Sequence, residues 1–234
     1  MTATMAYSLQ YYLRSYRYVA PLLIFSLTLF FIYSIVPNPV MPSYSLTSTF
    51  LFVVSAWLAF GYIDVEDGTQ QQITVMHTGS LSKYYYGKLL VIVIIVNILS
   101  IICVLYPILF NKFDRQPSLS EWVIALLSHS ILSILGIALS ILFTNKWVQK
   151  LSYAILGIFL AIALSLAGAG IENSSPHSIK ALSWLIPPVF RTMDMLNNYE
   201  ETAYSGVVVS LISPLVYSGL LFWLFLIKMK RKLV

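Results

Sequence analysis

Six stretches of the sequence contain no charged residue, and each is 19 to 22 residues long. About 20 apolar residues in a helix cross the roughly 30 Å apolar core of a bilayer. The stretches cover residues 18–36, 44–63, 89–110, 122–143, 151–170 and 206–227, and all 14 Lys and Arg and all 9 Asp and Glu residues lie outside them. The sequence therefore predicts an all-α integral membrane protein with six transmembrane helices, forming one domain over residues 1–234.

The positions of the basic residues predict how these helices are oriented. Lys and Arg accumulate in cytoplasmic loops, and with the N-terminus inside, ten of them fall on the inner side and four on the outer side. We therefore expect a multi-pass protein of a bacterial plasma membrane with both termini in the cytoplasm, surrounded by membrane lipids. The net charge of +5 then reflects topology, and we expect no nucleic-acid partner. The first stretch is too long for a signal peptide and lacks an A-x-A site, so we expect it to remain.

A short amphipathic helix is predicted before the first span. One face carries Leu9, Tyr12, Leu13 and Tyr16, and the opposite face carries Gln10, Arg14 and Arg17. This pattern is typical of a helix that lies in the membrane interface with its tyrosines at headgroup depth. The alternative is that the segment is only the charged flank of the first span.

The inner connection, residues 64–88, is too long for a simple turn. Thr69 and Gln72 fit a capping box that starts a helix. Gly79 can end that helix in the left-handed conformation, and Ser82 can cap a second helix that leads into the third span. We therefore predict a compact helix, a turn and a lead-in helix.

The predicted loop helix carries little charge. Three consecutive glutamines, Gln70, Gln71 and Gln72, are followed by Ile73, Val75 and Met76. A solvated loop has no need of such a mixed polar and apolar surface, whereas a cytoplasmic protein partner would bind to one. We therefore predict a docking surface here.

The outer connection, residues 171–205, predicts two short amphipathic helices joined at Pro187 and Pro188. Trp184 precedes the two prolines, and the two apolar stripes consist of Ile179, Leu182 and Ile186, then Val189, Met193 and Leu196. The pair would either dip into the outer leaflet as a re-entrant hairpin or lie on the outer surface. Non-helical backbone at membrane depth is tolerated only where protein or a water-filled cavity shields it.

The predicted fourth and fifth spans each carry a face of small or polar residues. These are His129, Ser133, Gly136 and Ser140, and Gly157, Ala161, Ser165 and Gly168. Small residues let membrane helices approach closely, so helix packing is the favoured interpretation. His129 is also a functional candidate, because ionisable groups inside a membrane are costly. Candidate residues of a translocation path are Asn97, Ser100, His129, Ser133, Ser213 and Tyr217.

The sequence lacks the motifs of several enzyme classes. There is no phosphate-binding loop, no G-x-S-x-G elbow, no H-E-x-x-H zinc helix and no pair of intramembrane carboxylates. The single cysteine, Cys103, excludes cysteine-based metal clusters. We expect neither catalytic residues nor a metal site, and so no enzyme activity in this chain. Ion-coupled transport is disfavoured, because it usually needs buried acids or paired repeats.

The loop also carries a motif known from one transporter family. Glu66, the Gly68-Thr69 pair and the run Gly87-Lys88-Leu89-Leu90 resemble the loop between the second and third spans of type 2 ATP-binding cassette (ABC) exporter permeases. The six spans, the interfacial N-terminal helix and the outer hairpin are similar to that family as well. Thr78 stands where many members have a proline.

The resemblance implies a permease that dimerises, with an identical or a related chain, and is driven by separate ABC ATPase subunits. Those subunits, not this chain, would bind ATP and Mg. The implied ATPase-coupling residues are Glu66, Gly68, Thr69, Gln70, Gln71, Gln72, Ile73, Met76 and His77. The expected function is export of an amphipathic or lipophilic cargo by alternating access, such as a peptide, antibiotic, drug or lipid-linked molecule.

Two other functions account for the same topology. One is a membrane scaffold or sensor that binds a partner and transports nothing. The other is an ion- or proton-coupled transporter that uses His129. Neighbouring genes that encode an ATPase would favour the exporter over both.

Overall fold

The protein is described here from a computed structural model that covers residues 2–144, 147–174 and 184–231. Within these residues the chain forms nine α-helices and no β-strand. Their bounds are α1 Thr2–Ser15, α2 Val19–Ile32, α3 Val40–Ile63, α4 Gly68–Thr78, α5 Leu81–Leu109, α6 Leu119–Ser140, α7 Leu151–Ser174, α8 Val189–Asn197 and α9 Tyr204–Arg231. A short 3-10 helix, Ile141–Phe143, extends α6. The prediction of an all-helical protein is confirmed.

Five helices are long and apolar enough to cross a membrane: α3, α5, α6 with its 3-10 extension, α7 and α9. This is compatible with a membrane-embedded protein. The first predicted span differs, because residues 18–36 form only the 14-residue α2, which is about 21 Å long. α1 and α2 meet at 78° and count as a sixth span only if the bent pair is taken together.

Two prolines disfavour a helix in the residues that follow α2. The α conformation is disfavoured for a residue that precedes proline, and Val36 and Asn38 precede Pro37 and Pro39. The backbone of Asn38 instead pairs with the α5–α6 loop, donating to the Lys112 carbonyl at 3.0 Å. The segment from Tyr18 to Asn38 therefore lies alongside α3 but is helical over only part of its length.

The helices bring two sets of chain segments together at opposite ends of the bundle. At one end, which we call the α4 end, the Tyr85 ring of α5 packs against the Phe225 ring of α9, with 5.2 Å between the ring centres. At the other, the α8 end, a buried cluster joins the start of α3, the end of α5, the start of α6 and α8, and includes Val40, Val104, Ala125 and Leu196. Both α3 and α5 therefore run from one end to the other.

The centre of the bundle is the contact between α3 and α6. A β-carbon at Gly136 would overlap the Phe52 carbonyl oxygen and the Ser55 side chain. On α7, a β-carbon at Gly157 or Gly168 would overlap a phenylalanine ring, that of Phe143 or Phe190 respectively. The helix-packing interpretation of the small-residue faces is confirmed at these glycines.

α1 packs on α3 and α5 through a face that the sequence predicted in part. Tyr12 is buried, and the hydroxyls of Ser8 and Tyr62 lie 2.6 Å apart. Leu13 and Tyr16, assigned to the same apolar face, are instead 46% and 71% exposed. Tyr16 also has a positive φ of 55°, which ends the helical register before α2 begins.

α8 packs one face against the bundle, while Asp194 and Asn197 on its other face are exposed. Just before α8, the Leu185 carbonyl accepts a hydrogen bond at 2.9 Å from the hydroxyl of Tyr217, which lies halfway along α9. At its start, Val189 is fully buried in a cluster with Phe52 and Leu132. These contacts place the start of α8 against α3, α6 and α9.

The two apolar stripes predicted for this hairpin compare differently with the structure, because only the second is fully described. Val189 and Leu196 are buried and Met193 is half-buried, so the second stripe is confirmed. Of the first stripe, Ile179 and Leu182 lie outside the described residues, and Ile186 is half-buried. Pro188 directly precedes α8, and most of the helix predicted before the prolines lies outside the described residues.

Candidate functional site

α4 is capped at both ends. The Asp67 carboxylate accepts a hydrogen bond from the Gln70 backbone N–H at 2.8 Å, and Gly79 ends the helix with φ of 76°. The prediction for Gly79 is confirmed. The predicted Thr69–Gln72 capping box is wrong, because Asp67 takes the capping position and the helix begins at Gly68.

The lead-in helix also starts earlier than predicted. The Ser80 hydroxyl, not that of Ser82, accepts from the Lys83 backbone N–H at 3.2 Å, and α5 begins at Leu81. Because only Gly79 and Ser80 separate the two helices, α4 is held directly against the start of α5. The predicted arrangement of a helix, a turn and a lead-in helix is confirmed.

One face of α4 is exposed at the α4 end. Thr69, Gln72, Ile73, Met76 and His77 are exposed and recur at helical spacing, and we call them the α4 surface. Met76 is 80% exposed and Ile73 44%. The surface contains no carboxylate, lysine or arginine.

Two of the three predicted docking glutamines face inward instead. Gln70 and Gln71 are half-buried, and the Gln71 side chain donates to the Tyr85 hydroxyl at 2.7 Å. The α4 surface is therefore smaller and more apolar than the sequence indicated, with Gln72 as its only glutamine.

A buried ion pair ties the loop to α5. The Lys88 ammonium lies 3.2 Å from Glu66 Oε1, and their side chains are 0% and 1% exposed. Lys88 also donates to the Ile63 carbonyl at 3.0 Å and to the Tyr84 hydroxyl at 3.0 Å, while that hydroxyl donates to Glu66 Oε2 at 2.8 Å. We call Glu66, Tyr84 and Lys88 the anchor.

The anchor is enclosed by aromatic rings from two helices. The Lys88 ammonium lies 5.5 Å from the centre of the Tyr62 ring and 5.1 Å from that of Tyr84. Cation–π attraction favours this placement of the charge. Through Tyr62 and Ser8 the anchor also reaches α1. The family resemblance implied that Glu66 is one of the coupling residues, but its side chain is buried against Lys88 and Tyr84.

A cleft separates α4 from α1. Its volume is about 440 Å³, and it is lined by Thr4, Tyr7, Ile73 and His77 among others. Partial burial, together with the Glu66 carboxylate, raises the pKa of Tyr7. Thr4 and Thr78 bridge one side of the cleft, with their hydroxyls 3.3 Å apart.

The candidate residues of a translocation path lie in three separate places. Asn97 and Ser100 bond to carbonyls of their own helix α5, at Val93 and Val96. His129 and Ser133 are fully buried between α3 and α6, and Ser213 and Tyr217 face α8 from α9. The structure therefore does not bring the six candidates together around one cavity.

The contacts of His129 are those of a structural residue. Its Nδ1 lies 2.7 Å from the Ala125 carbonyl and its Nε2 lies 2.9 Å from the Thr47 hydroxyl. A neutral ring with the proton on Nδ1 satisfies both contacts, since a carbonyl only accepts. The imidazole also packs at right angles to the Tyr44 ring, with 5.8 Å between the ring centres.

In the outer hairpin, Arg191 contacts both an aromatic ring and a carboxylate. The Arg191 guanidinium lies 3.8 Å from the centre of the Trp184 ring and 3.5 Å from the Glu172 carboxylate. Pro187 and Pro188 are buried and lead into α8. Over the ranges that the structure covers, no group of three or more His, Cys, Asp or Glu side chains could hold a metal ion.

The sequence and the fold were also compared with known proteins. No protein-family model matches the chain, and no curated protein or solved structure shows significant similarity to it.

Proposed function

We propose that the chain is the membrane-spanning permease subunit of an ATP-driven exporter of the type 2 ABC class. The observation that carries this proposal is an exposed helix of low charge that is tied to a long apolar helix by a buried ion pair. A partner that displaces such a helix would also displace the long helix to which it is tied.

The α4 surface has the composition of a protein-binding site. The centres of protein interfaces are depleted in charged residues and enriched in methionine and aromatic residues. The α4 surface presents Met76 and Ile73 with no formal charge. The α4 end of the bundle, where α5 contacts α9, also carries most of the basic residues of the described chain, which supports a cytoplasmic position.

The anchor supplies the mechanical connection. Lys88 belongs to α5, and Glu66 immediately precedes the capping residue of α4. Displacing α4 without α5 would separate two charges that are shielded from water, and this is costly. In this mechanism ATP-driven movement of the partner shifts α4 and α5 together. ATP and cargo would then favour different conformations of the permease, as population shift requires.

The remaining features of the proposal follow the same reasoning. α1 would lie at the interface, and the segment from Tyr18 to Asn38, which contains α2, would form the first span, giving six spans with both termini in the cytoplasm. Two copies of the permease, identical or related, would pair with two ATPase subunits that bind ATP and Mg. The cargo would be amphipathic or lipophilic, because the helices offer hydroxyls and aromatic rings and few charges.

Affinity purification from cells that also express the neighbouring genes tests this function. We expect an ATPase to co-purify with the wild-type chain and to be lost in Met76→Glu, which places a charge on the α4 surface. Leu119→Glu is the matched control, since Leu119 is similarly exposed, 76% against 80%, but lies at the α8 end. Retention of the ATPase by Met76→Glu, or its absence from the wild-type preparation, would favour the scaffold or sensor.

A further inference from the structure

Two cavities of different chemistry meet beside α8. One has a volume of about 520 Å³ and is polar, and it lies between α7, α8 and α9. The other is a groove of about 350 Å³ along α9. Arg191 and Val209 line both cavities, which therefore adjoin at these two residues.

The groove has the shape and chemistry of a site for an alkyl chain. Its α9 wall extends from Val208 to Leu220, which is about 18 Å of helix. The side chains of that wall are mostly apolar: Val208, Val209, Ile212, Val216, Tyr217 and Leu220. Ligand sites commonly combine such an apolar wall with a few polar groups.

The polar cavity contains charges of both signs. Arg191 contributes a guanidinium, and Glu172 and Asp194 contribute carboxylates. Among the described residues only Glu172 accepts a hydrogen bond from this guanidinium, at 3.5 Å, which is the long limit for such a bond. The arginine side chain is 15% exposed and is held in place by stacking on Trp184. An anionic group beside Arg191 would also meet the two carboxylates unless it brought a cation with it.

We propose that the two cavities together bind one phospholipid whose headgroup carries both a phosphate and a primary ammonium. The phosphate lies against the Arg191 guanidinium, which binds phosphate oxygens through paired N–H donors. The ammonium lies between the carboxylates of Glu172 and Asp194, and one acyl chain follows the groove along α9. This site does not rest on the exporter function, since a lipid is bound whether or not the chain transports anything.

Native mass spectrometry of the full-length chain in detergent tests the groove. Phosphatidylethanolamine is the probe, and two neighbouring tryptophan substitutions are compared. Val216→Trp fills the groove, whereas Leu215→Trp changes a similarly exposed residue that does not line it, 48% against 55% exposed. We expect one tightly retained lipid in the wild-type chain and in Leu215→Trp, and at least a tenfold lower bound fraction in Val216→Trp. Equal retention by the two variants would overturn the site.

The charged residues are tested by exchanging the headgroup. Asp194→Asn should reduce the preference for phosphatidylethanolamine over phosphatidylglycerol at least threefold, because the ammonium loses a partner. Arg191→Gln should weaken retention of both lipids. Equal binding of phosphatidylglycerol and phosphatidylethanolamine by the wild-type chain would refute the headgroup assignment. A dimer that loses its partner in Val216→Trp, with lipid binding unchanged, would assign the groove to a second copy of the chain instead.

Discussion

Removing one member of the buried ion pair should destabilise the protein far more than removing a surface carboxylate. At the observed 3.2 Å, and with an effective dielectric constant of about 20, the attraction between the two charges is roughly 5 kcal/mol. Removing one member of a desolvated pair takes away the ionic partner of a buried charge, which costs about 3 to 5 kcal/mol. We therefore expect Glu66→Gln and Lys88→Met each to lower the free energy of unfolding by about this amount.

The double variant measures the interaction energy between the two charges. Glu66→Gln with Lys88→Met removes both charges at once, so its destabilisation should be well below the sum of the two single effects, with a coupling of about 2 kcal/mol or more. Reversible unfolding in mixed micelles of mild detergent and SDS measures all four proteins. Glu200→Gln is the control, because Glu200 is 84% exposed and lies 3.5 Å from Arg115. Such surface pairs contribute little.

Two results would refute this reasoning. Single variants that unfold like the Glu200→Gln control would show that the ion pair contributes nothing measurable. Additive single effects would show that Glu66 and Lys88 act independently, and the rigid connection between α4 and α5 would then have to be abandoned.

Two further predictions concern the contact between α3 and α6. Gly136→Ala should lower stability in the same unfolding assay by about 1 to 3 kcal/mol, since its β-carbon would meet the α3 backbone. Gly219→Ala, with no atom within 4 Å of the added carbon, should be neutral or stabilising, because alanine favours a helix more than glycine does; equal effects would contradict the close approach. His129→Ala should lower stability because it leaves a cavity where a fully buried side chain packs between α3 and α6, while ATP-driven transport per folded molecule stays unchanged. Loss of transport at equal folded amounts would favour the proton-coupled transporter.

Local patterns predicted the parts of the fold that local chemistry determines. Five of the six charge-free stretches correspond to helices long enough to cross a membrane, and Gly79 ends α4 because glycine tolerates a positive φ. The error at the start of α4 was also local. Asp67 and Thr69 are both suitable caps, and choosing between them required knowing where α3 ends.

The anchor could not be predicted from the same patterns. Glu66 and Lys88 are 22 positions apart, and whether they meet depends on how α5 returns past the end of α3. The exposure of side chains on α4 could not be predicted from sequence either. The glutamines at 70, 71 and 72 look alike in sequence, but contact with α1 and α5 leaves only Gln72 exposed. Tertiary packing therefore decided which residues of the candidate site reach solvent.

The hydroxyl bonds around α8 limit how the bundle can move. Ser45 of α3 donates to the Met193 carbonyl at 3.1 Å, and Thr192 donates to the Ser210 carbonyl of α9 at 2.8 Å. α8 thus braces α3 to α9, and sliding either helix by one turn, about 5.4 Å, would break these bonds. Among the five long helices of the described chain, α7 is the least enclosed by its neighbours. We therefore expect α7 to move more easily than the helices that α8 connects.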